Sequence, residues 1–99
     1  MVELNTIREI YPRISEINEI VGFYTIRIED IPQVLKVKVL RIGNVYIGVA
    51  NLQVKFQGAL SPYRSLQPQE TKEAALKDAI SGFFAFLKEG SEISEVEDW

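Results

Sequence analysis

Four basic side chains are spaced to act together. Arg27, Lys36, Lys38 and Lys55 fall on the outward positions of three segments that alternate apolar and polar residues, and Thr25, Asn51, Gln53 and Gln57 share those positions. A sheet built from these segments gathers them on one face, because successive strand side chains point to opposite sides. A face with four positive charges and no carboxylate within its strands can hold phosphates or an acidic partner. The same charges can simply keep an exposed sheet face in water and blunt its edges. Aromatic groups that stack on bases are scarce there apart from Phe23.

The inventory for catalysis is thinner. The chain has no histidine and no cysteine. The usual general base near neutral pH, the commonest metal ligand and the thiolate are therefore all missing. Gly22, Gly43, Gly48 and Gly58 form no phosphate loop and no dinucleotide fingerprint. Ser61 and Ser65 lack a histidine base, and a Ser–Lys pairing has no spacing signature. The carboxylate pairs Glu29 with Asp30 and Glu70 with Glu73 sit where a turn and a helix start are expected, so they read as caps. We expect no enzymatic activity, no cofactor and no metal. A small carboxylate-dependent enzyme is the alternative, and it needs a concave pocket around a buried Asp or Glu.

The elements that must position these groups follow from periodicity. Leu4, Ile7, Ile10, Tyr11, Ile14, Ile17 and Val21 recur at helical steps, interrupted by Pro12. This predicts one helix broken near Tyr11, or a second helix over 12–20 closed by Gly22. Three strands are expected over 23–29, 34–42 and 45–57. Gly43-Asn44 is a two-residue hairpin turn in which Gly and Asn accept positive φ. The turn predicts Val39 opposite Gly48, Val37 opposite Ala50 and Leu35 opposite Leu52. A four-residue turn at 30–33 predicts Ile28 opposite Leu35, Ile26 opposite Val37 and Tyr24 opposite Val39. All of these fall on one face, which supports the meander. Gly48 and Ala50 let a helix approach closely.

That helix is legible in Ala75, Leu76, Ala79, Ile80, Phe83, Phe86 and Leu87, with Thr71 or Gln69 as its cap and Gly90 as its end. Phe83, Phe84 and Phe86 read as core filling. The connection 58–69 reads as a surface crossing pinned by Leu60, Tyr63 and Leu66 packing inward. The fold class is α+β in the order α-β-β-β-α: an N-terminal helical segment beside or over the sheet, a three-stranded antiparallel meander and a long C-terminal helix.

Ninety-nine residues with 46% hydrophobic and 25% charged side chains suit one small globular domain, placed at 1–89. Residues 90–99 carry Glu92, Glu95, Glu97 and Asp98 and no base. They hold −4 against a total of −3, which leaves +1 on 1–89. A neutral body with an acidic tail does not favour general nucleic-acid binding. Ile93, Val96 and Trp99 would line one side of a helical turn that docks on the apolar end by Gly43-Asn44 while the tail's carboxylates meet the basic residues, unless the tail is solvated. Met1 to Glu9 contain Glu3, Arg8 and Glu9 and no apolar run, so neither a leader nor a membrane segment is expected and the cytoplasm is the default location. The Ile, Val, Glu and Lys content without cysteine suits a thermophile.

Two candidate surfaces result. Leu40, Ile42, Val45, Ile47 and Val49 cluster at the Gly43-Asn44 end of the outer face, and with Trp99 they form a candidate association surface for a second copy or another protein. Arg27, Lys36, Lys38 and Lys55 form the candidate anion or nucleic-acid surface.

The stretch Thr71-Lys72-Glu73-Ala74-Ala75-Leu76-Lys77-Asp78-Ala79 is similar to the start of the last helix of the double-stranded-RNA-binding domain, where a Lys-Glu-Ala run follows a capping residue. It also resembles the last helix of HicB-type antitoxins, and the order of elements over 4–88 resembles both. The resemblance implies an RNA-binding or antitoxin role, and it adds Lys72 to the anion-binding candidates. The expected function is a non-catalytic binding or regulatory module that acts through protein association.

Overall fold

The computed structural model describes residues 4–99, apart from the side chain of Asn5. Residues 1–3, and with them Glu3 of the N-terminal reading, lie outside the described residues. The elements in order are α1 (Leu4–Ile10), β1 (Glu19–Ile26), β2 (Leu35–Ile42), β3 (Val45–Ala50), β4 (Leu52–Lys55), α2 (Lys72–Ala85) and β5 (Glu92–Glu95). The fold is mixed α+β, with an antiparallel sheet in the order β1-β2-β3 and a helix packed on it. A second sheet pairs β4 with β5.

The hairpin at Gly43-Asn44 has the expected register. Val39 faces Gly48, Val37 faces Ala50, and Ile42 faces Val45 across the two-residue turn. Only Gly43 takes positive φ, at 61°, which is the II′ pattern rather than one with both residues left-handed. Leu52 does not face Leu35. The strand breaks at Asn51, whose side-chain oxygen accepts from Lys36 N at 2.6 Å and whose amide nitrogen donates to Val34 O at 3.2 Å. Beyond that break Leu52 pairs with Glu95.

The β1–β2 register differs from expectation by two residues. Ile26 faces Leu35 and Tyr24 faces Val37. The strand ends at Ile26, and the connection 27–34 folds over itself with Ile31 N bonded to Ile28 O at 3.2 Å. An even shift keeps the same side chains inward, so the core face is unchanged. No second helix covers 12–20. Residues 11–18 are irregular, and β1 starts at Glu19 with a bulge between Ile20 and Gly22.

The core lies between the inner sheet face and α2. Leu35, Val37, Val39, Ala50, Leu52, Val54, Ala75, Ala79 and Phe83 are buried together. Gly48 sets the depth of this layer. A β-carbon there would collide with the Ala75 carbonyl oxygen and lie 3.0 Å from Ala79 Cβ, so only glycine admits the helix. Thr71 caps α2 by accepting from Ala74 N at 3.0 Å. The helix ends at Ala85, short of Gly90. The Ser91 hydroxyl donates to Phe86 O at 2.8 Å and accepts from Lys88 N at 2.9 Å, which turns the chain back toward β4. Phe86 leaves the helix line to stack on Phe56 at 5.1 Å and meet the edge of Tyr63 at 4.8 Å. Phe84 is exposed rather than core filling.

Three readings of the chain's periphery are corrected. α1 does not pack broadly on the sheet or on α2. The molecule is accordingly drawn out to 51 × 26 × 21 Å, with a radius of gyration of 15.6 Å, where a compact chain of this length has roughly 12–13 Å. The 58–69 connection is not pinned as expected, since Leu60 is fully exposed and Leu66 is 44% exposed, while Tyr63 is 39% exposed and meets Phe86. Hydrogen bonds of main chain and side chain hold it. Tyr63 exchanges two bonds with Val54, Gln69 exchanges two with Tyr46, and Arg64 Nη1 donates to Ala50 O at 3.1 Å. The segment thus seals the outer edge of β3 and β4. Finally, residues 90–99 are neither a helical turn nor a solvated tail: β5 pairs with β4, and Ile93 packs against the core. No helix among the described residues is long and apolar enough to cross a membrane.

Candidate association surface

The three strands that bury one face leave the other open. Its rows follow from the register: Ile20 beside Leu40 beside Ile47, Phe23 beside Lys38 beside Val49, and Ile42 beside Val45 at the hairpin. Leu40, Val45, Ile47 and Val49 are half-buried, while Ile20 and Phe23 are each 57% exposed and Ile42 43%. Leu40, Ile42, Val45, Ile47 and Val49 of the expected patch lie together on this face. The patch extends across β1 through two residues the expectation left out.

Trp99 rests on this face, but on the middle row rather than at the hairpin end. Its indole N–H donates to Val49 O at 2.8 Å, and its ring lies 5.5 Å from that of Phe23. Lys38 Nζ sits 4.9 Å from the ring centroid and donates to Trp99 O at 3.2 Å. A cation over an indole face is attracted by the ring quadrupole. Asp98 takes φ of 59°, which turns the chain after β5 and lays the ring down.

The basic candidates do not converge. Lys36 and Lys38 share the outer face on β2, and Lys38 is held by Trp99. Arg27 stands in the connection after β1. Lys55 is in the second sheet, opposite Glu92, and both line an open cleft of ≈ 390 Å³ with Phe56, Gln57, Gly58, Ala59 and Gly90. Lys72 is the first residue of α2 and donates to Val21 O at 3.2 Å, so it ties the helix to β1.

The candidate serines separate as well. Ser65 is buried, and its hydroxyl donates to Asp78 Oδ2 at 2.7 Å. This pair fastens the sealing segment to α2. Gly82 lies beneath it, where a β-carbon would come within 2.6 Å of Ser65 Cβ.

No family model, no curated protein and no solved structure matches the chain. The geometry of this face must therefore carry the functional reading.

Proposed function

We propose that the protein is a non-catalytic association module whose outer sheet face docks on an apolar protein surface, a second copy included. The observation that supports this is the continuous apolar floor Ile20–Leu40–Ile47, flanked by Phe23 and Ile42, with no described element laid over its hairpin end. Exposed apolar surface of this kind gains from being removed from water, by about 25 cal/mol per Å². Sheet faces bury against flat partners, and a face left open marks the partner's place.

Sedimentation velocity over rising protein concentration tests the reading. The expected result is an associated species that persists at high salt and that Ile47→Lys abolishes. An associated species that dissolves at high salt would overturn it, because apolar contact is not screened.

Lys36 and Lys38, neighbours on the same face, support a second reading as a nucleic-acid surface. Short RNA and DNA titrated at two salt concentrations separate the two. Steeply salt-sensitive binding would favour phosphate contact.

A further inference from the structure

The two edges of the three-stranded sheet are finished differently. The β3 edge is sealed by segment 63–69 through the bridges at Tyr46 and Gln69 and at Val54 and Tyr63. The β1 edge has no such cover among the described residues. Its open backbone groups can be identified from the register. Asn51 N donates to Lys36 O, so Lys36 and every second residue of β2 point toward β3. Leu35, Val37 and Val39 then point toward β1, where their partners are Ile26, Tyr24 and Gly22. The N–H and C=O groups of Phe23 and Thr25 therefore point away from the sheet, and neither residue has a further main-chain bond. Val21 lies in the bulge, and its carbonyl accepts from Lys72 Nζ.

Natural edge strands carry charge, proline, a bulge or a cover, because a bare edge is a template for pairing. From Ile20 to Ile26 this strand has no charged residue and no proline. Its bulge lies at one end, between Ile20 and Gly22, which leaves 22–26 regular. Phe23 is an exposed aromatic beside that open backbone.

We infer that a second copy of this chain pairs through this edge, β1 antiparallel to β1, to make a continuous six-stranded sheet. The pairing is self-complementary and closes on itself, as a two-fold dimer requires. With the axis beside Tyr24, Phe23 of each copy faces Thr25 of the other and all of their outward backbone groups are satisfied. The bulge and the Lys72 contact bar a register that would use Val21. Phe23 and Thr25 both carry their side chains on the outer face. Both α2 helices then lie on one side, and the two apolar floors join on the other. This inference names a partner for the association reading and rests on it in that respect. It works through main chain rather than through the side chains of the floor.

The test uses the full chain. Amide hydrogen exchange of Phe23 and Thr25 is measured at high and low protein concentration, beside sedimentation of the unmodified chain, Thr25→Pro and Ile47→Lys. Proline at Thr25 removes an outward N–H and leaves the β1–β2 ladder intact. The expected result is a dimer in which both amides exchange at least tenfold more slowly than after dilution, and which Thr25→Pro converts to a folded monomer. The exchange measurement needs no variant, so it stands even where Thr25→Pro lowers stability. If Thr25→Pro stays dimeric while Ile47→Lys is monomeric, the edge inference falls and the face reading stands. If Thr25→Pro is monomeric while Ile47→Lys stays dimeric, the edge stands and the face reading loses its support. A monomer at the highest concentration, with both amides exchanging freely, overturns the dimer.

Discussion

The two faces of the three-stranded sheet come from the same strands, yet they answer to different constraints. The inner face is fixed by shape. Gly48 admits the Ala75 turn of α2, and the buried side chains of β2 close around it. The outer face is fixed by chemistry alone: its side chains are apolar or basic apart from Thr25, and among the described residues Trp99 is laid over them. Alternate residues of one strand can thus be locked by a helix and left open to a partner. Substitutions on the inner face should be read in stability, and those on the outer face in association.

The largest expected effect is at Gly48. Gly48→Val places branched carbons where the Ala75 carbonyl stands, so α2 must lift or tilt. We expect a loss of about 3 kcal/mol, at the upper end of what overpacking costs. Chemical denaturation reads it directly. A loss below about 0.5 kcal/mol would mean that α2 does not approach as closely as described.

Trp99→Ala comes next and probes a point where the outer face has gained cover. The change removes the bond to Val49 O, the contact with Phe23 and the Lys38 cation from one side chain. We expect a loss of about 1–2 kcal/mol, from an aromatic contact and a hydrogen bond together. The same variant bares Phe23 and Val49, so it should bind more of an apolar dye than the unmodified chain. A stability loss without extra dye binding would place the ring away from the floor.

Ser65→Ala tests the sealed edge. Ser65 is buried and bonded to Asp78, and the segment it belongs to covers β3. Leaving Asp78 without this donor should cost about 1 kcal/mol. Exchange of the Tyr46 and Gln69 amides should quicken with it, because the segment loses its fastening to α2. Unchanged exchange would show that main-chain bonding alone holds the seal.

These particulars also show what the sequence made legible. The inner face could be read in advance because period-two alternation and a two-residue turn leave one register that buries Val37, Val39, Gly48 and Ala50 together. The β1–β2 pairing moved by two residues without altering any face, since parity is all that burial pattern specifies. The helical reading of 12–20 failed at the bulge. It rested on Ile14, Ile17 and Val21 at helical steps, but 11–18 form no helix and Val21 is the extra residue between Ile20 and Gly22. Ile93, Val96 and Trp99 misled in the same way. Val96 follows the strand, its amide bonded to Asn51 O, and Asp98 redirects the chain before the ring. The sealing segment was illegible because two isolated bridges impose no periodicity on Leu60, Tyr63 or Leu66. Phe23 was already legible on the outer face, whereas Ile20 lies before the bulge and outside the expected strand.

The smallest expected stability change is the sharpest test of the comparison, because it lies one residue from the largest. Ile47 precedes Gly48 in β3 and points to the opposite side. It is half-buried among Leu40 and its row neighbours rather than under a helix. A lysine there can lay its stem along the floor and keep its ammonium in water. We expect Ile47→Lys to cost about 1 kcal/mol or less, under half of the loss at Gly48, with the native near-UV spectrum retained. Its effect should appear in sedimentation instead, as loss of the associated species. A loss of about 3 kcal/mol would mean that the outer face is closed by the chain itself. The floor would then be a second core, and the contrast between the two faces would disappear.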